Sequence, residues 1–564
     1  MGIMLSRHLP ETLYIHLCVP QPSTGEKEIV VYGSSVVLNH RHSFSIGQPV
    51  SSNMSEIQQF YVGKNIFITG GTGFLGVVLI EKLLRSCRDI GIIYILIRPK
   101  KGKSVEERLD ALLGEKVFDP LRKEYPEFSQ KIVGVEGDTA KNGFGLSSKD
   151  YLRLTDEVSV IFHLAASVRF TEKLESAVLT NVNSVKYAID LARACKNFKA
   201  GIYVSTAFSH CVRKSINEEL YPPPMSYQEV NTFVEMSRRM KWSEDVMESV
   251  TKTIIGEWPN TYSFTKAIAE GVVAEFAKDL PFAIFRPSIV TNSFKSPAPG
   301  WVSGTMGLAG LVYAYGLGLV HVALQDINKK ADLVPVDYVC NALISSAWNT
   351  AIIEKGSSDD VLVYNYVSGN ENPITWNKFN VVCAPYRKVY PSEQAVYHSF
   401  LLTTKSKFLF VILDFLLHLL PAIMIDLMAK LVGKQPKMYQ LMSKIRKAWF
   451  ALMYFATQEW CFGNQKIQQL WSQLGPEDKK IFPFSMRTLD WNEYLRNMCK
   501  GVRQFIAGES DDNLERAKRR YYCLYFIHVA VCLILGVLIL WVIWRSFGGI
   551  AVTLATPSIL SELL

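Results

Sequence analysis

Tyr262-Ser263-Phe264-Thr265-Lys266 sets a phenol and an amine four residues apart, on one face of the helix that Ala267-Ile268-Ala269-Glu270 continues. A phenol of ordinary pKa, near 10, exchanges protons poorly at neutral pH, and an adjacent ammonium favours its phenolate form. The pair therefore predicts proton transfer to or from an oxygen, with Tyr262 as the acid and Lys266 as its electrostatic partner. Among 25 tyrosines this spacing arises by accident, so its order relative to other signals carries the weight. Upstream, Ile202-Tyr203-Val204 reads as a strand ending in Ser205-Thr206-Ala207, two hydroxyls at the edge of a sheet where open α/β folds bind ligands. Thr206 aligns best with a carbonyl-polarising hydroxyl, and Ser205 is its close competitor. Downstream, Phe285-Arg286-Pro287-Ser288-Ile289 closes another strand. Hydroxyls often end strands for ordinary reasons, but these pieces in this order point to catalysis.

A nucleotide signature lies ahead of them. Strand Ile66-Phe67-Ile68 runs into Thr69-Gly70-Gly71-Thr72-Gly73-Phe74-Leu75-Gly76 and then into an amphipathic helical pattern. Gly70 permits the tight turn, Gly73 lets backbone approach a pyrophosphate, and Gly76 lets the helix pack close, while its N-terminus offers unpaired N–H groups to the anion. Gly70, Thr72, Gly73, Phe74, Leu75 and Gly76 are the expected contacts. The spacing is that of short-chain dehydrogenases, and no Lys-Ser/Thr follows to make a Walker loop. The second strand ends at Arg98-Pro99-Lys100-Lys101, where an NAD-specific protein would place an acid. Arg98, with Lys100 or Lys101 in support, favours the 2′-phosphate of NADPH; a solvated basic loop is the plain alternative. Asp138, in Gly137-Asp138-Thr139, is placed to reach the adenine, although turn aspartates share that composition. His163-Leu164-Ala165-Ala166-Ser167 ends the fourth strand with small residues, Ala165 among them, that leave room for the cofactor; His163 itself reads as structural. Lys266 would also hold the nicotinamide ribose, and Pro287 would pack beside the nicotinamide.

The elements that must position these residues are short apolar runs alternating with helical patterns, at 66–68, 92–97, 132–135, 158–164, 202–204 and 282–285. Such alternation predicts an α/β fold, a doubly wound Rossmann-type parallel sheet. Residues 1–54 show no period and read as a poorly ordered extension, dispensable for activity, though Met1-Gly2-Ile3-Met4-Leu5-Ser6 formally matches a myristoylation pattern. Residues 55–372 form the expected reductase domain with substrate-binding insertions, and 373–510 a mostly helical C-terminal domain. Residues 511–564 read as a basic linker, a transmembrane helix at about 523–544 and a short tail.

That helix candidate holds 22 residues without Asp, Glu, Lys or Arg, about 33 Å at a helical rise. Arg516, Lys518, Arg519 and Arg520 precede it and only Arg545 follows, which predicts a single pass with the catalytic part facing the cytosol. Residues 305–324 are also uncharged, but their glycines fit a substrate-domain segment better. Residues 408–428 contain Asp414, His418, Pro421 and Asp426, costly in lipid, so an interfacial or acyl-chain-facing helix is expected there, not a span.

The bulk numbers agree. With 49% hydrophobic and 20% charged residues the chain is not disordered, and its net charge of +9 is scattered, without the basic, aromatic-interleaved block that nucleic acid requires. The surplus suits anionic cofactors and an anionic bilayer face. Ten cysteines lie far apart with no C-x-x-C or Cys/His cluster, so reduced cytosolic thiols and no metal site are expected.

The sequence resembles the fatty acyl-CoA reductases, insect ones most closely, through the blocks above together with Leu96-Ile97-Arg98-Pro99-Lys100, Pro299-Gly300-Trp301 and Val334-Pro335-Val336-Asp337. The resemblance covers about residues 55–500. It implies a fatty acyl-CoA substrate, two NADPH for a four-electron reduction to a fatty alcohol through an aldehyde, and residence on the endoplasmic reticulum or peroxisome, with a homodimer allowed. Rival readings are a membrane-bound sterol-type dehydrogenase, a cysteine acyl-enzyme using Cys211, and a non-enzymatic NADP-binding membrane scaffold.

Overall fold

A computed structural model describes residues 54–100, 102–353 and 361–555. The expectations for residues 1–53, and for Lys101, lie outside the described residues.

Seven strands build one sheet: β1 Asn65–Thr69, β2 Ile93–Ile97, β3 Ile132–Glu136, β4 Val158–His163, β5 Ala200–Val204, β6 Phe282–Pro287 and β7 Leu362–Tyr366. Their order is β7-β6-β5-β4-β1-β2-β3, every neighbouring pair parallel. Six of the strands match the apolar runs read from the sequence, and β7 is additional. They run apolar because helices cover both faces, so neither side of the pleat meets water. Helices α1 Phe74–Ser86, α2 Ser184–Ala194, α3 Thr261–Phe276, α4 Gly307–Gly316 and α5 Val336–Ile352 follow in chain order. Residues of α1 and α5 share one core with Ile66, Ile93 and Ile202, while residues of α2 and α3 pack with Phe67, Ile161 and Tyr203 on the other side. Strand order reverses between β1 and β4, which opens a crevice at their carboxyl ends.

The C-terminal region supplies α6 Lys407–Asp414, which continues through a π-helical turn, Phe415–Leu419, into α7 Leu420–Leu431. It continues with α8 Met438–Thr457, α9 Trp491–Gly501 and α10 Leu514–Ala555. This region is mostly helical, but it shares its core with the sheet. The described residues from Ser55 onward form one compact unit. Phe482, Trp491 and Tyr494 are buried in the same cluster as Ile66 and Val339. Cys461–Phe462 adds a parallel pair to Ser215–Ile216, and Leu402–Thr404 does the same with Val322–Leu324. Two helical stretches, Lys407–Leu431 and Asp511–Ser546, are long and apolar enough to cross a membrane by length and composition. The second contains the segment expected to do so.

Candidate active site

After β1 the chain turns through Gly70, whose φ of 75° favours glycine. A Cβ there would also lie 2.7 Å from the Ala165 nitrogen, where the ends of β1 and β4 meet. A Cβ on Gly76 would stand 2.3 Å from the Gly70 oxygen, so only glycine lets α1 start hard against the loop. Gly73 is the N-cap of α1, with no side chain to satisfy the first N–H groups. Those donors are left for an anion. The cradle therefore fits a dinucleotide pyrophosphate on its own geometry. Phe74 backs it by stacking on Trp301 at 5.6 Å.

His163, at the end of β4, uses both ring nitrogens: Nδ1 with Thr69 Oγ1 at 2.8 Å and Nε2 with Ser184 Oγ at 3.0 Å. Burial, helped by the charge of Lys266, pulls its pKa down to about 3. It is a neutral strut joining β1, β4 and α2. At the end of β2, Arg98 pairs with Asp138 across 3.3 Å, so these two candidates meet each other at the crevice rim. Arg108 donates to the Arg98 carbonyl and lines the same cavity. Sequence reading missed Arg108. Its signal was the Ser104/Glu107 capping box, which starts the helix Val105–Leu113 directly after the basic loop. Lys100 instead bridges to Lys103 and does not line the cavity.

Asn260 caps α3 by accepting from the Ser263 amide, which sets Tyr262 in the first turn and Lys266 one turn deeper. Burial pushes the Tyr262 phenol up to about 12, and the neighbouring Thr206 hydroxyl opposes the shift. Ser205, the competitor, turns its hydroxyl the other way and donates to Glu270 Oε1 at 2.5 Å. Lys266 Nζ donates to the Val204 carbonyl at 2.7 Å and sits 4.7 Å over the Tyr203 ring. Burial lowers Lys266 to about 7, with Glu270 opposing. The expected stabilisation of phenolate by ammonium is thus absent from this arrangement, because Lys266 turns to a carbonyl and desolvation dominates both groups.

Glu270 is a buried hub to which the sequence reading assigned no role. It accepts from Arg286 Nε and Nη2 at 2.9 and 2.7 Å, Ser205, Ser209 Oγ at 2.9 Å and His210 Nε2 at 3.1 Å. Burial alone would raise this carboxyl, but Arg286 and then His210 hold it well below the usual range. Cys211 lies beside the hub, yet burial pushes its thiol up to about 11, the opposite of what a nucleophile needs.

Apart from Lys100, and Lys101 outside the described residues, every site residue expected from the sequence lines one cavity of about 1770 Å³. Pockets for a single small molecule measure roughly 300–1,000 Å³, so the space accommodates a dinucleotide and a long second molecule. Beyond Tyr262 it runs between α4, through Leu308 and Val312, and α8, through Leu452 and Phe455, with Trp376 between. Arg387, Lys444 and Lys447 add positive charge to that arm. Among the described residues no group of three or more His, Cys, Asp or Glu is placed to hold a metal.

A doubly wound parallel sheet with a glycine cradle at its switch point, and a Tyr/Lys pair facing that cradle, defines a nicotinamide-dependent reductase of the extended short-chain dehydrogenase class. A male sterility protein model for an NAD-binding domain matches residues 68–343, and a second male sterility protein model, Sterile, matches 417–509. The fatty acyl-CoA reductase 1 of Rattus norvegicus is 37% identical over 88% of this chain and 94% of its own length. The fatty acyl-CoA reductase wat of Drosophila melanogaster is 36% identical over 87% and 93%. The chain belongs to the fatty acyl-CoA reductase family. In fold, the reductase domain of a non-ribosomal peptide synthetase from Mycobacterium tuberculosis superposes with a TM-score of 0.51 at 15% identity, over 80% of this chain and 96% of that one.

Proposed function

We propose that this chain reduces long-chain fatty acyl-CoA to a fatty alcohol, with NADPH as reductant and the aldehyde as intermediate. The observation that carries this reading is a single cavity holding the glycine cradle, the Thr206/Tyr262/Lys266 group and a long apolar arm with cations along it. Gly70, Thr72, Gly73, Phe74, Leu75 and Gly76 would hold the pyrophosphate, Asp138 and Ala165 the adenine side, and Pro287 the nicotinamide face. Arg98, with Arg108, supports NADPH over NADH, because a guanidinium pair matches a 2′-phosphate that NADH lacks.

A bound reduced nicotinamide supplies hydride to the carbonyl carbon. Thr206 and Tyr262 together grip the carbonyl oxygen, and negative charge developing there is met by their hydroxyl protons. Tyr262 stays protonated at neutral pH because its pKa is about 12, so it is the acid and gives its proton to that oxygen. Lys266, almost fully buried, would hold the nicotinamide ribose. The hemithioacetal then expels CoA as its thiol, and the apolar arm retains the aldehyde for a second reduction with the same residues. Lys444 and Lys447 suit the phosphates of CoA.

We also infer that α10 is a single membrane span. Arg516, Lys518, Arg519 and Arg520 in its first turns precede its apolar stretch at 523–544, so the catalytic part faces the cytosol, and apolar side chains of that stretch, such as Leu540 and Trp544, are exposed. In this division residues 55–372 carry the redox chemistry, 373–510 enclose the acyl chain and 511–564 anchor the protein. Membranes containing the protein, given NADPH and a panel of acyl-CoAs, should yield alcohols by mass spectrometry, with two NADPH consumed per CoA released. Turnover of sterols and of no acyl-CoA would overturn the reading, as would NADPH binding without any product.

A further inference from the structure

The helix formed by α6, the π-helical turn and α7 carries thirteen large apolar side chains between Phe408 and Leu431 that are exposed, Phe408 and Leu431 about three-quarters so. A soluble face of that extent is unusual. The sequence reading expects an interfacial or acyl-chain-facing helix here and sets Asp414, His418, Pro421 and Asp426 against a span; the structure takes both carboxylates off the apolar face. Asp414 is buried and pairs with His418 Nδ1 at 2.9 Å and Arg446 Nε at 2.7 Å. Asp426 accepts from the backbone nitrogens of Lys437, Met438 and Tyr439, each at 2.9 Å, and so closes the turn into α8. The helix packs along α8, which turns Trp449, Leu452 and Phe455 to the substrate cavity. Since α8 carries Lys444, Arg446 and Lys447 at mid-length, the pair cannot traverse a bilayer and is built to lie on one side of it. Lys405, Lys407, Lys430, Lys434 and Lys437 cluster around its ends, which is the charge complement of anionic headgroups.

Ring contacts tie this hairpin to the base of α10. His418 lies 5.7 Å from His321, His321 stacks on Phe400 at 4.3 Å, and Phe400 stacks on His528 of α10 at 5.0 Å. The middle of the hairpin's first helix is thereby linked to α10 at His528. We propose that the α6–α8 hairpin is embedded in the cytosolic leaflet of the bilayer beside α10, which sets the wall of the substrate cavity at the depth where acyl chains partition. The proposal rests on the reading of α10 as the membrane span.

The test uses the full chain, reconstituted in vesicles of phosphatidylcholine with a minority of phosphatidylserine. The fluorescent amino acid acridonylalanine replaces Met424 on the hairpin, Leu538 on α10, or Leu152 on the exposed surface of the sheet domain, one position at a time, with NADPH binding as the check on folding. Nitroxide-bearing phosphatidylcholine quenches from within the bilayer and iodide from water. The expected result is several-fold stronger quenching by the nitroxide lipid than by iodide at Met424 and Leu538, and the reverse at Leu152. Iodide quenching at Met424 with lipid quenching at Leu538 would overturn the hairpin and leave the anchor standing. Iodide quenching at both would remove the anchor reading and the hairpin with it.

Discussion

Lys266 is asked to carry charge where the fold penalises charge, and replacing it with methionine separates those two roles. Its side chain is almost fully buried, and burial brings its pKa from 10.5 to about 7. At about 1.4 kcal/mol per pKa unit, holding the ammonium in the fold below that pH costs roughly 5 kcal/mol. Methionine removes this cost but leaves the Val204 carbonyl without its donor, worth about 1–3 kcal/mol in the other direction. Lys266→Met should therefore gain roughly 2–4 kcal/mol of stability at about pH 6 while losing turnover. The sign over pH is fixed. The folded pKa lies below the unfolded one, so between about 7 and 10.5 the unfolded chain binds more protons and wild-type stability rises with pH. The variant lacks that rise, and its advantage shrinks toward alkaline pH. Urea unfolding of both proteins in one detergent, followed across that range, measures it. A variant less stable than wild type at about pH 6, or an advantage that does not change with pH, would refute the reasoning.

Tyr262→Phe should lower acyl-CoA reduction by roughly two to four orders of magnitude while NADPH binding, followed by fluorescence, survives; near-normal turnover would remove Tyr262 as the acid. Arg98→Ala should raise the KM for NADPH by about tenfold, limited by the side chain's exposure, and bring NADH closer to equivalence; an unchanged preference in steady-state kinetics would shift the 2′-phosphate contact to Arg108. Gly76→Ala places a Cβ 2.3 Å from the Gly70 oxygen, so the cradle must open and NADPH affinity should fall at least tenfold by titration, with the far-UV spectrum retained; wild-type affinity would mean that the loop relaxes without consequence.

Much of the site was legible because it is local. The glycine cradle, the Tyr262/Lys266 pair and the hydroxyls after β5 each occupy a few consecutive residues, and their chemistry follows from helix and strand geometry. The choice between Ser205 and Thr206 needed the structure, although neighbours at the end of a strand point to opposite sides. The Glu270 hub was hidden because its partners Arg286 and His210 stand 16 and 60 positions away and meet only in the folded chain. Strand β7 escaped because Asn365 interrupts an apolar run, and that asparagine is buried for a reason visible only in three dimensions, where it donates to the Ile216 and Gly463 carbonyls. The helical character of residues 373–510 was readable from periodicity. That these helices would complete the core of the sheet was not, since their apolar faces match no partner nearby in sequence.

The shared core bears on the order in which the protein is made. The Ile57 amide, which leaves the ribosome early, finds its acceptor in Asp478, 421 positions later, and the buried side chain of Tyr494 donates back to the Asn292 carbonyl at 2.9 Å. Until residues near 480–500 emerge, the nascent sheet carries an uncovered apolar flank, the kind of surface that chaperones hold and that aggregates when they do not. α10 follows at once, so closure of the soluble part and exposure of the most apolar helix fall within the same stretch of synthesis. A chain halted before Phe482 would accordingly be recognised as misfolded, even though every residue of its redox site had already been translated.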